Sequence, residues 1–289
     1  MKELNILALI AVLFFGHSLS LIAHEEPAKT KMEINEKRAE AKRISKQCLK
    51  SSVAYKQKFY DGKIASEKFL YLQTDYACNG LMESLTLFDS TGKIDTKVVY
   101  NYDCEQRMIV DADYDADEKL VEKIEYFYFE DGRLRGSFNY KGESLDSKFA
   151  YRFDKDSKLV EFTKFTVTDS LEYKIDYRFK GNPDKSKITE IIKYVPSKDT
   201  LMHVKYTFYA SGKVKEKQIW GGDRQLMYKF IYQYDKNKNR SEITKVMPDG
   251  KIGFVQKFAY DKKRNMTSQN ISYPDEASET KITYEYLFR

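Results

Sequence analysis

An aromatic pair, Tyr/Phe-x-Tyr/Phe, returns eight times along the chain: Tyr100/Tyr102, Tyr126/Tyr128, Tyr151/Phe153, Tyr177/Phe179, Tyr206/Phe208, Tyr232/Tyr234, Phe258/Tyr260 and Tyr284/Tyr286. The steps between pairs are 26, 25, 26, 29, 26, 26 and 26 residues. At 15% aromatic residues chance does not keep eight pairs in register, and a fixed period of this length is the mark of a repeat architecture. The repeat constrains how the chain is built and names no ligand or reaction.

Each repeat has a second beat. Fourteen residues after the first aromatic stand Tyr114, Tyr140, Phe165 and Trp220, and the longer fourth repeat supplies Tyr194 at 17. Turn formers such as Asp117, Glu143, Asp223, Asp249 and Asp275 follow this beat, while Asp103, Asp154, Asp235 and Asp261 follow the pair itself. Between turns the residues alternate, as in Lys158 to Phe165 and Tyr228 to Tyr234, with aromatic and β-branched residues that suit strands. One repeat is therefore two strands and two turns. The expected fold is all-β: an elongated antiparallel meander of β-hairpin repeats, a twisted single sheet free to coil, with the pairs stacked as a ladder on one face.

Three segments follow. Residues 1–23 read as a secretory signal peptide: a basic start, an apolar run from Leu4 to Phe15, and cleavage near Ser20 or Ala23. If uncleaved, this segment is the expected membrane contact, since its apolar length approaches the roughly 20 residues that span a bilayer. Residues 24–64 read as a helical segment and a transition, with Ile34, Ala41, Ile44 and Cys48 at helical spacing; such a helix could cover the first edge of the sheet. Residues 65–289 hold about eight 26-residue repeats. Export points to a periplasmic, secreted or cell-surface protein. Lys plus Arg exceed Asp plus Glu by 6 with the signs interspersed, so a solvated surface fits better than a nucleic-acid partner.

The motifs resemble known repeat families. Tyr232-Gln233-Tyr234-Asp235, running to Asn239-Arg240 and then Pro248-Asp249-Gly250-Lys251-Ile252, is similar to the YD repeat of the Rhs family; Tyr151 to Asp154 and Phe258 to Asp261 share its start. Tyr206 to Glu216 and Phe129 to Leu134 resemble the MORN-variant repeat. The resemblance spans about three-quarters of the chain and implies a β-hairpin array in a secreted, bacterial setting; whether the sheet closes is left open. It implies no enzymatic activity, and the departure from large Rhs shells leaves their encapsulating role behind.

Chemistry-bearing residues are sparse. His203 is the one histidine far from the N-terminus, too few for a Ser-His-Asp, Cys-His or zinc site, and there is no phosphate-binding loop. Asp111, Asp113, Asp115 and Asp117, with Glu122 at the twelfth place, follow calcium-ligand spacing, though Ala116 stands where an EF-hand has glycine; calcium is the single cofactor to weigh against none. Cys48, Cys78 and Cys104 permit one bridge whose pairing stays open, Cys78–Cys104 and Cys48–Cys78 being the two considered. Trp220, Tyr194, Tyr140 and Tyr114 are the candidate binding residues, a platform for a sugar or a protein partner. Lys and Glu on both parities, as at Glu161 and Lys164, count against an outer-membrane barrel. The leading expectation is a non-enzymatic binding or scaffold protein that contacts a protein or glycan through its sheet. The alternatives are a carboxylate-dependent glycan hydrolase in a groove of the sheet, and a purely structural spacer or shell fragment.

Overall fold

The alternating segments form strands in the computed structural model, which describes residues 31–180, 187–197 and 199–288. Helix α1 (Lys31–Lys46) leads into β1 (Leu49–Tyr60), the short β2 (Lys63–Ile64), β3 (Phe69–Tyr76), β4 (Met82–Phe88), β5 (Ile94–Tyr102), β6 (Met108–Asp115) and β7 (Leu120–Tyr128). Then come β8 (Leu134–Lys141), β9 (Ser144–Phe153), β10 (Leu159–Thr166), β11 (Leu171–Lys180), β12 (Lys187–Tyr194) and β13 (Thr200–Phe208). The series ends with β14 (Val214–Gly221), β15 (Leu226–Tyr234), β16 (Arg240–Val246), β17 (Ile252–Tyr260), β18 (Met266–Tyr273) and β19 (Ser278–Phe288). The signal segment, His24 and the inserted loop at Gly181 to Asp184 lie outside the described residues.

From β3 to β19 each strand pairs antiparallel with the next, as a meander requires. Most of the described turns use one device. In the loop after β5 the Asp103 amide donates to the Arg107 carbonyl, the Gln106 amide donates back to Asp103, and Gln106 takes φ of 63°. That is a three-residue hairpin loop ending in a left-handed residue. An aspartate at the start of the turn strengthens several of them: Asp103 accepts from the amides of Glu105 and Arg107, and Asp154 from those of Asp156 and Lys158.

The array does not stay open. β1 pairs with β3 from Ser51↔Asp75 to Lys56↔Phe69, and along its other edge with β19 from Leu49↔Phe288 to Tyr60↔Ser278. The sheet therefore closes into an 18-strand barrel, with β2 a two-residue extension beside β1. This corrects two expectations: the single open sheet, and the likeness to YD and MORN-variant arrays, both of which leave free edges. The physical reason is the strand ahead of the first repeat, which matches both ends of the meander and removes the edges that an open sheet must protect. Helix α1 accordingly does not cover an edge. It bridges turns at one barrel end: Ser45 Oγ donates to the Cys78 carbonyl at 2.8 Å and Arg43 Nη1 to Asn265 Oδ1 at 2.7 Å.

The two faces of the wall differ. Cross-strand partners share a face, so the register carries the parity of the aromatic pairs around the ring, for example Tyr100↔Asp111, Tyr126↔Ser137, Phe258↔Gln269 and Tyr284↔Ala54. The strand side chains that are almost completely buried lie on this face, among them Val98, Asp111, Ser137, Phe254, Gln256, Gln269 and Ile282. Val121, Phe127, Leu201 and Met227 are exposed on the other. Side chains converge inside a closed wall and splay outside it. The aromatic face is thus the concave one.

Candidate functional site on the concave wall

In three pairs the first aromatic reaches a polar residue on the preceding strand. Tyr126 Oη donates to Asp111 Oδ2 at 2.9 Å, Tyr151 Oη meets Ser137 Oγ at 3.1 Å, and Tyr284 Oη donates to Gln269 Oε1 at 3.4 Å. Tyr102, Tyr128, Tyr234 and Tyr286, each the second aromatic of its pair, donate to the carbonyl 20 residues earlier, as Tyr102 does to Met82 and Tyr234 to Val214. Most of the ladder is thereby engaged in holding the wall.

Between β13 and β18 the ladder changes character. Register aligns Tyr206↔Lys217, Lys217↔Phe230, Phe230↔Lys245 and Lys245↔Phe254 on the concave face. Phe254 in turn packs on Tyr273 with ring centres 6.4 Å apart, and Phe230 lies 6.1 Å from Phe254. Each ammonium is seated near a ring: Lys245 Nζ is 4.4 Å from the Tyr228 ring centre and Lys217 Nζ 5.8 Å from that of Tyr206. Farther round, Lys193 lies 3.7 Å over Tyr173 and Lys56 lies 4.5 Å over Tyr71. Burial lowers the Lys245 pKa; Lys193 is lowered by burial and then by nearby Lys164, against Glu172, and Lys56 by burial and then Lys58.

The opposite wall is acidic but closed. Asp111 and Asp113 are 0% and 2% exposed, Asp113 is the cross-strand partner of Glu122, and Glu122 accepts from Asn139 Nδ2 at 2.8 Å. Burial, and next the charge of Asp111, push the Tyr126 hydroxyl well above its usual range. Asp115 is diverted to its turn, accepting from the amides of Asp117 and Lys119. The five acids proposed for calcium are therefore spread over two strands and a loop. Among the described residues no group of three or more ligating side chains is placed to hold a metal ion.

The second-beat aromatics lie on the convex wall, each beside a residue of that face: Tyr114↔Lys97, Tyr140↔Lys123 and Trp220↔His203. Tyr140 Oη donates to Glu125 at 3.1 Å and Tyr194 Oη to Asp176 at 2.6 Å. Trp220 is half-buried with Lys205 at 5.9 Å, rather than the exposed contact its sequence position suggests. The four sit on alternate or more distant strands and form no common platform with the pairs. The thiols of Cys48, Cys78 and Cys104 are free and exposed. Sequence reasoning missed Lys217 and Lys245 because a lysine's face depends on inter-strand register, which neither the repeat spacing nor composition contains.

No protein-family model and no curated protein matches this sequence. Among solved structures, a porin-like protein from Bacteroides uniformis superposes with a TM-score of 0.46 at 6% identity, over 83% of this chain and 98% of that one. A porin-like protein from Bacteroides vulgatus gives 0.38 at 12% identity, over 81% and 98%, and a LolA superfamily protein from Nitrosomonas europaea gives 0.27 at 9%, over 88% and 93%. The barrel itself is established by the pairing of β1 with both β3 and β19 in this chain.

Proposed function

We propose that this protein is an exported, non-enzymatic binding barrel of the cell envelope that holds a glycan against its concave wall. The observation that carries the reading is the mixed lining of that wall. Half-buried rings such as Tyr206, Phe230 and Tyr273 share that face with the half-buried polar side chains of Lys217 and Lys245. A sugar offers both an apolar ring face and a hydroxyl rim, so it matches such a surface; an acyl chain would leave the polar groups unmet.

The competing readings fare less well on geometry. Glycoside hydrolysis needs two accessible carboxylates about 5 to 10 Å apart, whereas the buried concave acids Asp111 and Asp113 cannot meet a substrate. A lipid-facing wall has to be apolar, yet the convex face bears Arg152, Glu161, Lys174, Asp176, Arg178 and Glu190, several of them ion-paired. No described helix is long and apolar enough to cross a membrane.

Binding of an oligosaccharide panel, read by titration calorimetry, tests this. Phe230→Ala should weaken the bound sugar at least about tenfold, in line with the 1–2 kcal/mol or more that a central aromatic contact carries. Trp220→Ala, on the convex wall, should leave affinity unchanged. A panel without binding, or equal loss in both variants, would overturn the proposal.

A further inference from the structure

The barrel end that carries helix α1 has one strongly basic side. Arg38, Lys42 and Lys46 are exposed and stand four residues apart, so they form a single stripe along α1. Glu40, the acid between them, is occupied by Arg43, with Nη2 to Oε1 at 2.6 Å. Arg43 also donates to Asn265 in the turn after β17, and Arg264 of that turn donates through Nε to Asn239 in the turn after β15 at 3.2 Å. Helix and turns are thereby joined into one surface.

The turns extend the charge. Lys236 and Lys238 after β15, and Lys262, Lys263 and Arg264 after β17, are all exposed. The two carboxylates of these turns are engaged locally: Asp235 accepts from the amide and side chain of Asn239, and Asp261 from those of Asn265. Beside the Glu40 and Arg43 pair, the surface thus holds eight exposed cations against two half-buried carboxylates. Two apolar side chains lie at the same end. Leu287 and Phe288 close β19 and are 57% and 41% exposed, Phe288 pairs with Leu49 just after α1, and Lys263 Nζ is 5.1 Å from the Phe288 ring centre. Across the ring the turns after β5 and β7 carry Glu105, Glu130 and Asp131, and the far end carries Asp117, Glu118, Asp275 and Glu276. The basic side is therefore confined to α1 and the turns between β15 and β18.

We propose that this side of the barrel end docks on the surface of an anionic phospholipid membrane, with Leu287 and Phe288 entering the headgroup layer. A bilayer is broad enough to meet cations from a helix and two separate turns at once, and it has an apolar layer beneath the headgroups for Leu287 and Phe288. A soluble polyanion answers the charges and leaves those two side chains in water. The apolar run from Leu4 to Phe15, ahead of α1 in the sequence, is a second element suited to the same partner. The acids of the far end are repelled by such a surface, which sets the direction of the barrel axis. The inference concerns the outside of the barrel and goes beyond the glycan reading of its concave wall.

The test uses the full-length chain in flotation assays with two vesicle types, phosphatidylcholine alone and equimolar phosphatidylcholine and phosphatidylglycerol. Any contribution of the apolar run is common to both. The anionic vesicles should bind at least about tenfold tighter at low salt, with the advantage shrinking as ionic strength rises. The triple variant Lys236→Gln, Lys238→Gln, Lys262→Gln should lose most of that advantage. A second triple, Lys93→Gln, Lys119→Gln, Lys251→Gln, removes the same charge from exposed turns of the far end and should keep it. Thermal melts verify that both variants fold. Equal binding to the two vesicle types, or equal losses in the two triples, would overturn the proposal, as would capture by soluble heparin with none on the vesicles. None of these outcomes bears on the glycan reading, which Phe230→Ala tests separately.

Discussion

The hydroxyl of Tyr128 donates to the backbone carbonyl of Met108 at 2.6 Å, clasping the last residue of β7 to the first of β6, the two open ends of one hairpin. The same bond recurs at Tyr286 to Met266, also 2.6 Å, and at Tyr102 and Tyr234 with their partners 20 residues back. A phenylalanine at this position keeps the ring and loses the clasp. Tyr128→Phe should cost about 1 kcal/mol, the usual net value of such a bond, and more where the carbonyl is left dry. Urea unfolding measures this; a change within error at both Tyr128 and Tyr286 would mean that the ring alone matters.

The dock of helix α1 depends on Gly80. Its φ of +84° disfavours any side chain, and a Cβ there would collide with the Ala41 carbonyl of the helix. Gly92 has the same φ but open space around it, so it isolates the backbone contribution. Gly92→Ala should lose about 1–2 kcal/mol from the left-handed backbone alone, and Gly80→Ala more than that, with α1 becoming accessible to limited proteolysis. Equal losses in the two variants would mean that the helix is not held at this point.

Alkali should loosen the barrel through its tyrosines. Burial pushes the Tyr260 hydroxyl up to about 12, with Asp235 adding and Arg240 opposing. In the unfolded chain it ionises near 10. Since the folded value is the higher, the stability it contributes is complete below about pH 10 and is lost as pH rises toward about 12. Urea midpoints across this window should fall, and should fall less in Tyr260→Phe; parallel curves for the two proteins would contradict the assignment.

The hairpins, their turns and the shared face of the pairs were legible because they are local. Asp103 and Asp154 announce their turns within five residues, and Tyr126 and Tyr128 share a face by simple parity. Closure was not legible. It depends on β1, whose Leu49 to Tyr60 carries no aromatic pair of the repeat, and whose two edges match strands at opposite ends of the sequence. The concave lysines escaped for a related reason. Lys217 faces inward only because it opposes Tyr206, and a register slip of one residue would turn it outward. Second-beat aromatics such as Trp220 drew attention by their chemistry, while the pairing with His203 sets them on the outer wall.

The pairing of Leu49 with Phe288 also sets an order of events during synthesis. Hairpins from β3 onward can form as they emerge from the ribosome, because their partners are a few residues apart. The seam cannot, since β19 is the last of the described strands and β1 the first. Until then β1 and the newest hairpin present open edges able to pair with another chain. Pairing of β1 with β19, rather than formation of any hairpin, is the step that converts a sticky ribbon into a sealed ring.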